Sequence, residues 1–159
     1  MDVYDYDRQL NEAYRVLDED DILEENKRAI KAFVNELISF GGSKVRLIQY
    51  LFCMIVFGKM TAKPFKDLTR KDVEELMAML NSQNLSPYTK AEYKIRFKRF
   101  MKWVKTGSLD KNAPMPPEVS WIKVEIKPNE KKQVDVLSDD EIQRMIEVAP
   151  TIRDKALIA

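Results

Sequence analysis

Residues 51–57 read LFCMIVF, an unbroken apolar run in the second half of a stretch that Ser43 opens and that ends near residue 58. A helix that is apolar all round has no face to give to water, so it belongs at the centre of a helical bundle. The chain has only four glycines, which speaks against barrels and sandwiches, whose turns use glycine freely. The expected fold class is all-α.

The helices that would surround this centre are readable on either side. From Asp21, residues Ile22, Leu23, Ile30, Phe33, Val34, Leu37 and Ile38 recur at helical spacing, and Gly41-Gly42 ends the run as a C-cap. Ser43 is the expected cap of the central helix. A loop containing Pro64 spans 59–68. Thr69 with Asp72 then reads as an N-cap with an acidic first turn, opening a helix to about Ser82 that buries Val73, Leu76, Met77 and Leu80. Ser86-Pro87 opens the next helix with a cap and a proline at its favoured first position. The result is two α-hairpins. Their second arms echo each other: Ser43, Arg46, Tyr50, Met54 and Phe57 match the spacing of Ser86, Thr89, Tyr93, Phe97 and Phe100. Shared capping and an apolar stripe would produce the same echo without any repeat.

The helix from Ser86 to Lys105 carries seven Lys or Arg residues and one acid, Glu92. At 100° per residue, Tyr93, Phe97, Phe100 and Val104 fall within about 40° of a common line and form a core stripe. Lys94, Lys98, Arg99, Lys102 and Lys105 fall on the other side, with Tyr88 and Ile95 among them. The formal net charge of +1 hides this segregation. Residues 1–25 hold ten acids and two bases, whereas residues 26–63 hold seven bases and one acid. Solvated helix faces are one explanation; a nucleic-acid surface is another. Residues 1–20, with a weak helical pattern through Leu10, Tyr14 and Leu17, read as a loosely held acidic arm.

Several chemistries are excluded by composition. With no histidine, the chain has no Ser-His-Asp triad, no imidazole acid/base and none of the common zinc sites. One cysteine excludes an internal disulfide framework, makes a reducing cytoplasm the expected compartment, and reads as a buried, inert thiol. No apolar run approaches the roughly 18 residues that span a bilayer, and the acidic N-terminus is no signal peptide. No cofactor or metal is expected.

Past Thr106-Gly107 the composition changes. Residues 108–137 contain four prolines and balanced charge, the composition of an extended linker. Alternation from Trp121 to Lys127, with Ile122, Val124 and Ile126 on one side, fits a short strand or an extended chain. Ser138-Asp139-Asp140-Glu141 is a capping box for a helix to Ala149, which Pro150 breaks. Residues 152–159 begin another helix that reads as the cut start of a further domain.

This order of parts resembles the N-terminal half of tyrosine recombinases of the phage-integrase and Xer type, as found in an archaeal member. The residues that carry the likeness are Ser43…Arg46…Tyr50; Leu85-Ser86…Thr89…Tyr93 running into Phe97…Phe100…Trp103; the connector from Gly107 to Asn112 and Pro114; and Leu137-Ser138-Asp139-Asp140-Glu141-Ile142 with Arg153-Asp154-Lys155-Ala156-Leu157. Asn112-Ala113-Pro114 departs from the family's frequent Asn-Pro. The resemblance implies an arm (1–20), a four-helix SAM-like core-binding domain (21–107), a linker (108–137) and the opening of a catalytic domain (138–159). It also implies that the core-binding domain clamps duplex DNA while the catalytic set of arginines, lysine, histidine and tyrosine lies elsewhere. The first catalytic arginine is expected beyond Ala159, the His-x-x-Arg element is absent, and none of Tyr4, Tyr6, Tyr14, Tyr50, Tyr88 or Tyr93 lies where the nucleophile would. No catalytic residue is assigned, and this chain alone is not expected to cleave DNA.

Phosphate contacts supply most of the affinity of such a surface. The expected DNA-binding residues are Lys44, Arg46 and Gln49 at the start of the central helix, and Tyr88, Lys90, Lys94, Lys98, Arg99 and Lys102 on the basic one. By the resemblance these helices face the major groove, with Arg46 and Gln49 as candidates for base edges. Tyr88 and Ile95 could equally pack on a neighbouring helix, and Trp103 reads as core edge. The expected partners are double-stranded DNA and sibling protomers assembled on it, the isolated chain being a monomer. The competing reading is a helical protein-interaction module with no direct role on DNA.

Overall fold

The computed structural model describes residues 5–124 and 137–158. These fall into two compact units, Met1–Ile126 and Lys127–Ala159. The described residues contain helices and no strand, so the all-α expectation holds.

The first unit is built around α3 (Lys44–Met60), which buries Leu47, Ile48, Tyr50, Leu51, Cys53, Met54, Ile55, Phe57 and Gly58. It packs against α1 (Tyr6–Glu19), α2 (Glu24–Ser39), α4 (Arg70–Ser82) and α5 (Pro87–Thr106). The LFCMIVF run is central for the reason its composition gives, although Phe52 stays 41% exposed. Aromatic rings tie the layers together. Phe33 of α2 meets Tyr50, Phe100 and Trp103 edge-on or tilted at 5.2–5.4 Å, and Phe57 meets Phe97 at 4.2 Å.

The two expected hairpins are α2–α3 and α4–α5. In the first, Gly41 takes the left-handed conformation (φ 75°), and a Cβ on Gly42 would stand 2.8 Å from the Leu37 carbonyl oxygen. Glycine is therefore required at both steps of the turn. Thr69 and Asp72 form a reciprocal capping box on α4, and Ser86 accepts from the Thr89 N–H on α5. Ser43 departs from expectation: it occupies the N-cap position of α3 but makes no capping hydrogen bond. The echo between the arms is therefore one of core stripe. Met54, Phe57, Phe97 and Phe100 are all fully buried.

Two expected boundaries need correction. Residues 1–20 do not form a loose arm over their described part. Helix α1 packs on α3 and buries Ala13 and Leu17 completely. Its acids meet the basic segment that follows: Asp7 pairs with Lys44 at 2.6 Å, Asp18 with Lys31, and Asp20 with Lys59 at 2.9 Å. Much of the charge segregation is thus internal pairing between neighbouring helices.

The second correction concerns residues 108–124, which are part of the first unit rather than a linker. After Gly107 (φ 68°) the chain folds back, forms the short α6 (Pro117–Ser120) and buries Val119 and Ile122. Residues 122–124 are not a strand, and the rest of the expected alternation to Lys127 lies outside the described residues. In the second unit, α7 (Asp139–Val148) opens with the Ser138–Glu141 capping box, and α8 spans Ile152–Ile158.

Candidate nucleic-acid interface

Helices α3 and α5 pack against each other. Gln49 meets Arg96, Cys53 Sγ lies 3.8 Å from the Tyr93 carbonyl oxygen, and Phe57 meets Tyr93 and Phe97. Burial of the opposite face of α3 leaves Arg46, Gln49, Phe52 and Lys59 outward at helical spacing. On α5 the outward line runs through Tyr88, Ile95 and Arg99, with Tyr88 63% exposed. Tyr88 and Ile95 are therefore exposed rather than covered by another helix, and Trp103 sits at the core edge, where its Nε1 donates to Glu36.

Between the two helices, arginines gather round one phenol. Arg99, Arg96 and Arg46 all lie close enough to the Tyr50 side chain for their charges to act on it, Arg99 most strongly. Burial nevertheless pushes the Tyr50 hydroxyl's pKa up, because desolvation outweighs the three cations. Arg96 is held twice, by Glu92 at 2.6 Å and by the Gln49 Oε1 at 3.0 Å. Below this cluster a groove of about 320 Å³ runs between Ile48, Phe52, Tyr88 and Glu92.

The nine residues expected on sequence grounds divide into two groups. Arg46, Tyr88 and Arg99 are exposed, and Lys94 is half-buried with no hydrogen-bond or ion-pair partner. The other five have partners within the chain. Lys44 is paired with Asp7, Gln49 with Arg96, and Lys90 donates to the Asn81 carbonyl oxygen at 2.7 Å. Lys98 donates to the Ile122 carbonyl at 2.8 Å. Lys102 donates to the carbonyls of Asp110 (2.7 Å) and Lys111 (3.3 Å) and is only 8% exposed.

Lys98 and Lys102 therefore do not form a free cationic face. They hold down the returning segment 108–122. Lys105 has a related role, donating to the carbonyls of Lys66 and Leu68 and pairing with Glu118 at 3.2 Å. The returning segment is fixed further by Trp121, whose Nε1 donates to the Glu118 carbonyl and whose ring lies 5.7 Å beneath the Arg70 guanidinium.

Two cations near this surface were missed as site residues. Arg96 is one. The other, Lys123, lines a concavity of about 300 Å³ together with Lys90 and Lys94. Helical spacing could have flagged Arg96, but nothing local in the sequence brings residue 123 back to residue 94.

An apolar groove of about 790 Å³ opens on another side of α3, where Val16, Phe52, Val56, Met60, Met79 and Tyr93 line it. Among the described residues no cluster of His, Cys, Asp or Glu could hold a metal ion, and no helix is long and apolar enough to cross a membrane. No protein-family model, curated protein or solved structure matches the chain.

Proposed function

We propose that the first unit is a DNA-clamping module of a site-specific recombinase of the tyrosine class. It would grip duplex DNA across α3 and α5, beside sibling protomers on the same duplex. The strand-exchange chemistry would reside in the family's catalytic domain, whose opening residues 138–159 resemble. The observation that carries the reading is the pairing of Arg46 and Arg99, exposed on adjacent helices beside the Tyr50 hydroxyl, with Lys94 free on the flank of α5. A guanidinium offers five donors in a fixed plane, and at most a few are used here, so each can still take a phosphate or a guanine edge.

The test is a titration of duplex DNA by the full chain across a salt series. Three phosphates neutralised by Arg46, Lys94 and Arg99 give a slope of log K against log salt of about −2.7. Replacing Arg46 and Arg99 with glutamine should make the slope less negative by about 1.8. No DNA binding at low salt, or a slope unchanged by the double replacement, refutes the reading.

The apolar groove supports a second reading, a protein-interaction module, because Phe52 and Met79 stay 41% and 46% exposed within it. That reading calls for partner binding that survives the Arg46 and Arg99 replacements and is lost on Phe52→Ser.

A further inference from the structure

Two lysines expected as DNA contacts, Lys90 and Lys94, share one concavity with a third, Lys123, that comes from a distant part of the chain. The concavity at the start of α5 is lined by Leu85, Pro87, Lys90, Ala91, Lys94 and Lys123, and none of the six is acidic. Elsewhere in the first unit, lysines that approach a neighbouring segment meet a carboxylate or a carbonyl, as Lys31, Lys44, Lys59, Lys98 and Lys102 do. Lys94 and Lys123 meet neither. Lys90 gives one donor to the Asn81 carbonyl and keeps two. Like charges crowded over an apolar floor raise the local potential and attract an anion.

Lys123 is held at the pocket by several anchors. Its neighbour Ile122 is 4% exposed, and the Ile122 carbonyl accepts from Lys98 at 2.8 Å. Trp121 is fixed by Arg70 and by its own bond to Glu118. Further back, Lys102 holds the carbonyls of Asp110 and Lys111. The lysines expected to bind DNA directly thus hold in place the segment that carries another cation.

We infer that Lys90, Lys94 and Lys123 form a phosphate-binding subsite that takes a backbone phosphate of duplex DNA, extending the clamp from α5 onto the returning segment 108–124. The inference rests on the DNA reading above. The shared chemistry is the phosphate group, and a free phosphate is the other source it could have. Lys123 and Lys94 are contact residues; Lys102 is a positioning residue.

Salt-series titrations of duplex DNA and calorimetric titrations of inorganic pyrophosphate test the subsite on the full chain. The proteins compared are wild type, the Lys94→Gln/Lys123→Gln double variant, and Lys71→Gln on the exposed side of α4 as control, each checked for an unchanged helical circular dichroism spectrum. The double variant should lose the one phosphate contact, making the salt slope less negative by about 0.9, and weaken binding uniformly across DNA sequences, while the control matches wild type. Lys102→Met should weaken DNA binding although that side chain touches no phosphate. A wild-type salt slope retained by the double variant overturns the subsite, even if the Arg46 and Arg99 replacements behave as proposed. Pyrophosphate binding that the double variant loses, together with an unchanged DNA slope, assigns the pocket to free phosphate and overturns its DNA role. If wild type binds no DNA, the proposed function fails, and so does the DNA form of this inference. Pyrophosphate binding then decides whether the pocket is a phosphate site at all.

Discussion

Lys102 gives the most direct test of how the basic helix is used. Its ammonium sits 2.7 Å from the Asp110 carbonyl oxygen and 3.3 Å from that of Lys111, in a side chain 8% exposed. Hydrogen bonds to a charged group contribute about 1.5–3 kcal/mol each. The second bond is long, and both acceptor residues are exposed, so water can replace part of the loss. Lys102→Met keeps the buried stem and should cost about 1–2 kcal/mol. Lys102→Glu sets a buried carboxylate against two carbonyl oxygens and should cost about 3–4 kcal/mol, in the range for leaving a buried charge unpaired. For a domain of this size each kcal/mol lowers the midpoint by roughly 4 °C, so the variants should melt about 4–8 °C and more than about 10 °C below wild type. Thermal unfolding followed at 222 nm reads both. Two variants within about 0.5 kcal/mol of wild type would show that the latch contributes nothing and would return Lys102 to the DNA face. If the latch holds, charge reversal at Lys98 and Lys102 should weaken DNA binding by freeing the segment 108–122, so only the replacements at Arg46, Arg99, Lys94 and Lys123 report on direct contact.

Two further outcomes follow from groups outside the candidate interface. Asn26 is 1% exposed; its Nδ2 donates to the Lys63 carbonyl and its Oδ1 accepts from the N–H of the buried Phe65. Asn26→Ala orphans the buried Phe65 N–H and removes one of the two donors to the Lys63 carbonyl, the other being the Thr61 hydroxyl, and should cost about 1–3 kcal/mol in urea unfolding; an unchanged midpoint would mean that Asn26 does not help to hold the 61–68 loop. The Asp72 carboxyl is held below its usual value of 3.8, first by the Lys63 ammonium and then by the Thr69 hydroxyl and N–H. A depressed folded pKa means that its stabilisation is complete above the unfolded value and is lost as pH falls through the folded one. The stability gap between wild type and Asp72→Asn should therefore close from about pH 5 towards pH 2, and a gap independent of pH would contradict this.

The parts of the fold that were legible in the sequence are local. The capping boxes at Thr69–Asp72 and Ser138–Glu141 need only three residues to close, and both formed. The LFCMIVF run needs only its own composition to demand a central place. Helix α1 was misread although its periodicity was present: Leu10, Ala13, Tyr14 and Leu17 share one face, and Ala13 and Leu17 are fully buried. The density of acids argued for a solvated arm. What that reading lacked was the other side of each ion pair, on Lys31, Lys44 and Lys59, which lie on helices whose packing against α1 is tertiary.

The basic face of α5 failed for a related reason, yet the sequence did hold a signal for it. A helical wheel separates core from surface by direction, but it cannot tell whether the surface meets water, DNA or a returning stretch of the same chain. The returning stretch is rich in proline, with Pro114, Pro116 and Pro117 close together. Each proline keeps its carbonyl and lacks an N–H, so such a segment carries more acceptors than donors and cannot satisfy its own carbonyls. It therefore needs donors from outside. An α5 ending in Lys98, Lys102 and Lys105 supplies ammonium groups, each with three donors and no acceptor. In the structure Lys98 and Lys102 bond the carbonyls of Ile122, Asp110 and Lys111 in that stretch, whereas Lys105 bonds those of Lys66 and Leu68 in the loop before α4 and meets the stretch through Glu118. A lysine-rich helix followed at once by a proline-rich coil should therefore be read first as donors matched to surplus acceptors. Only the cations left over after that matching, here Arg46, Arg99, Lys94 and Lys123, count as candidates for a phosphate.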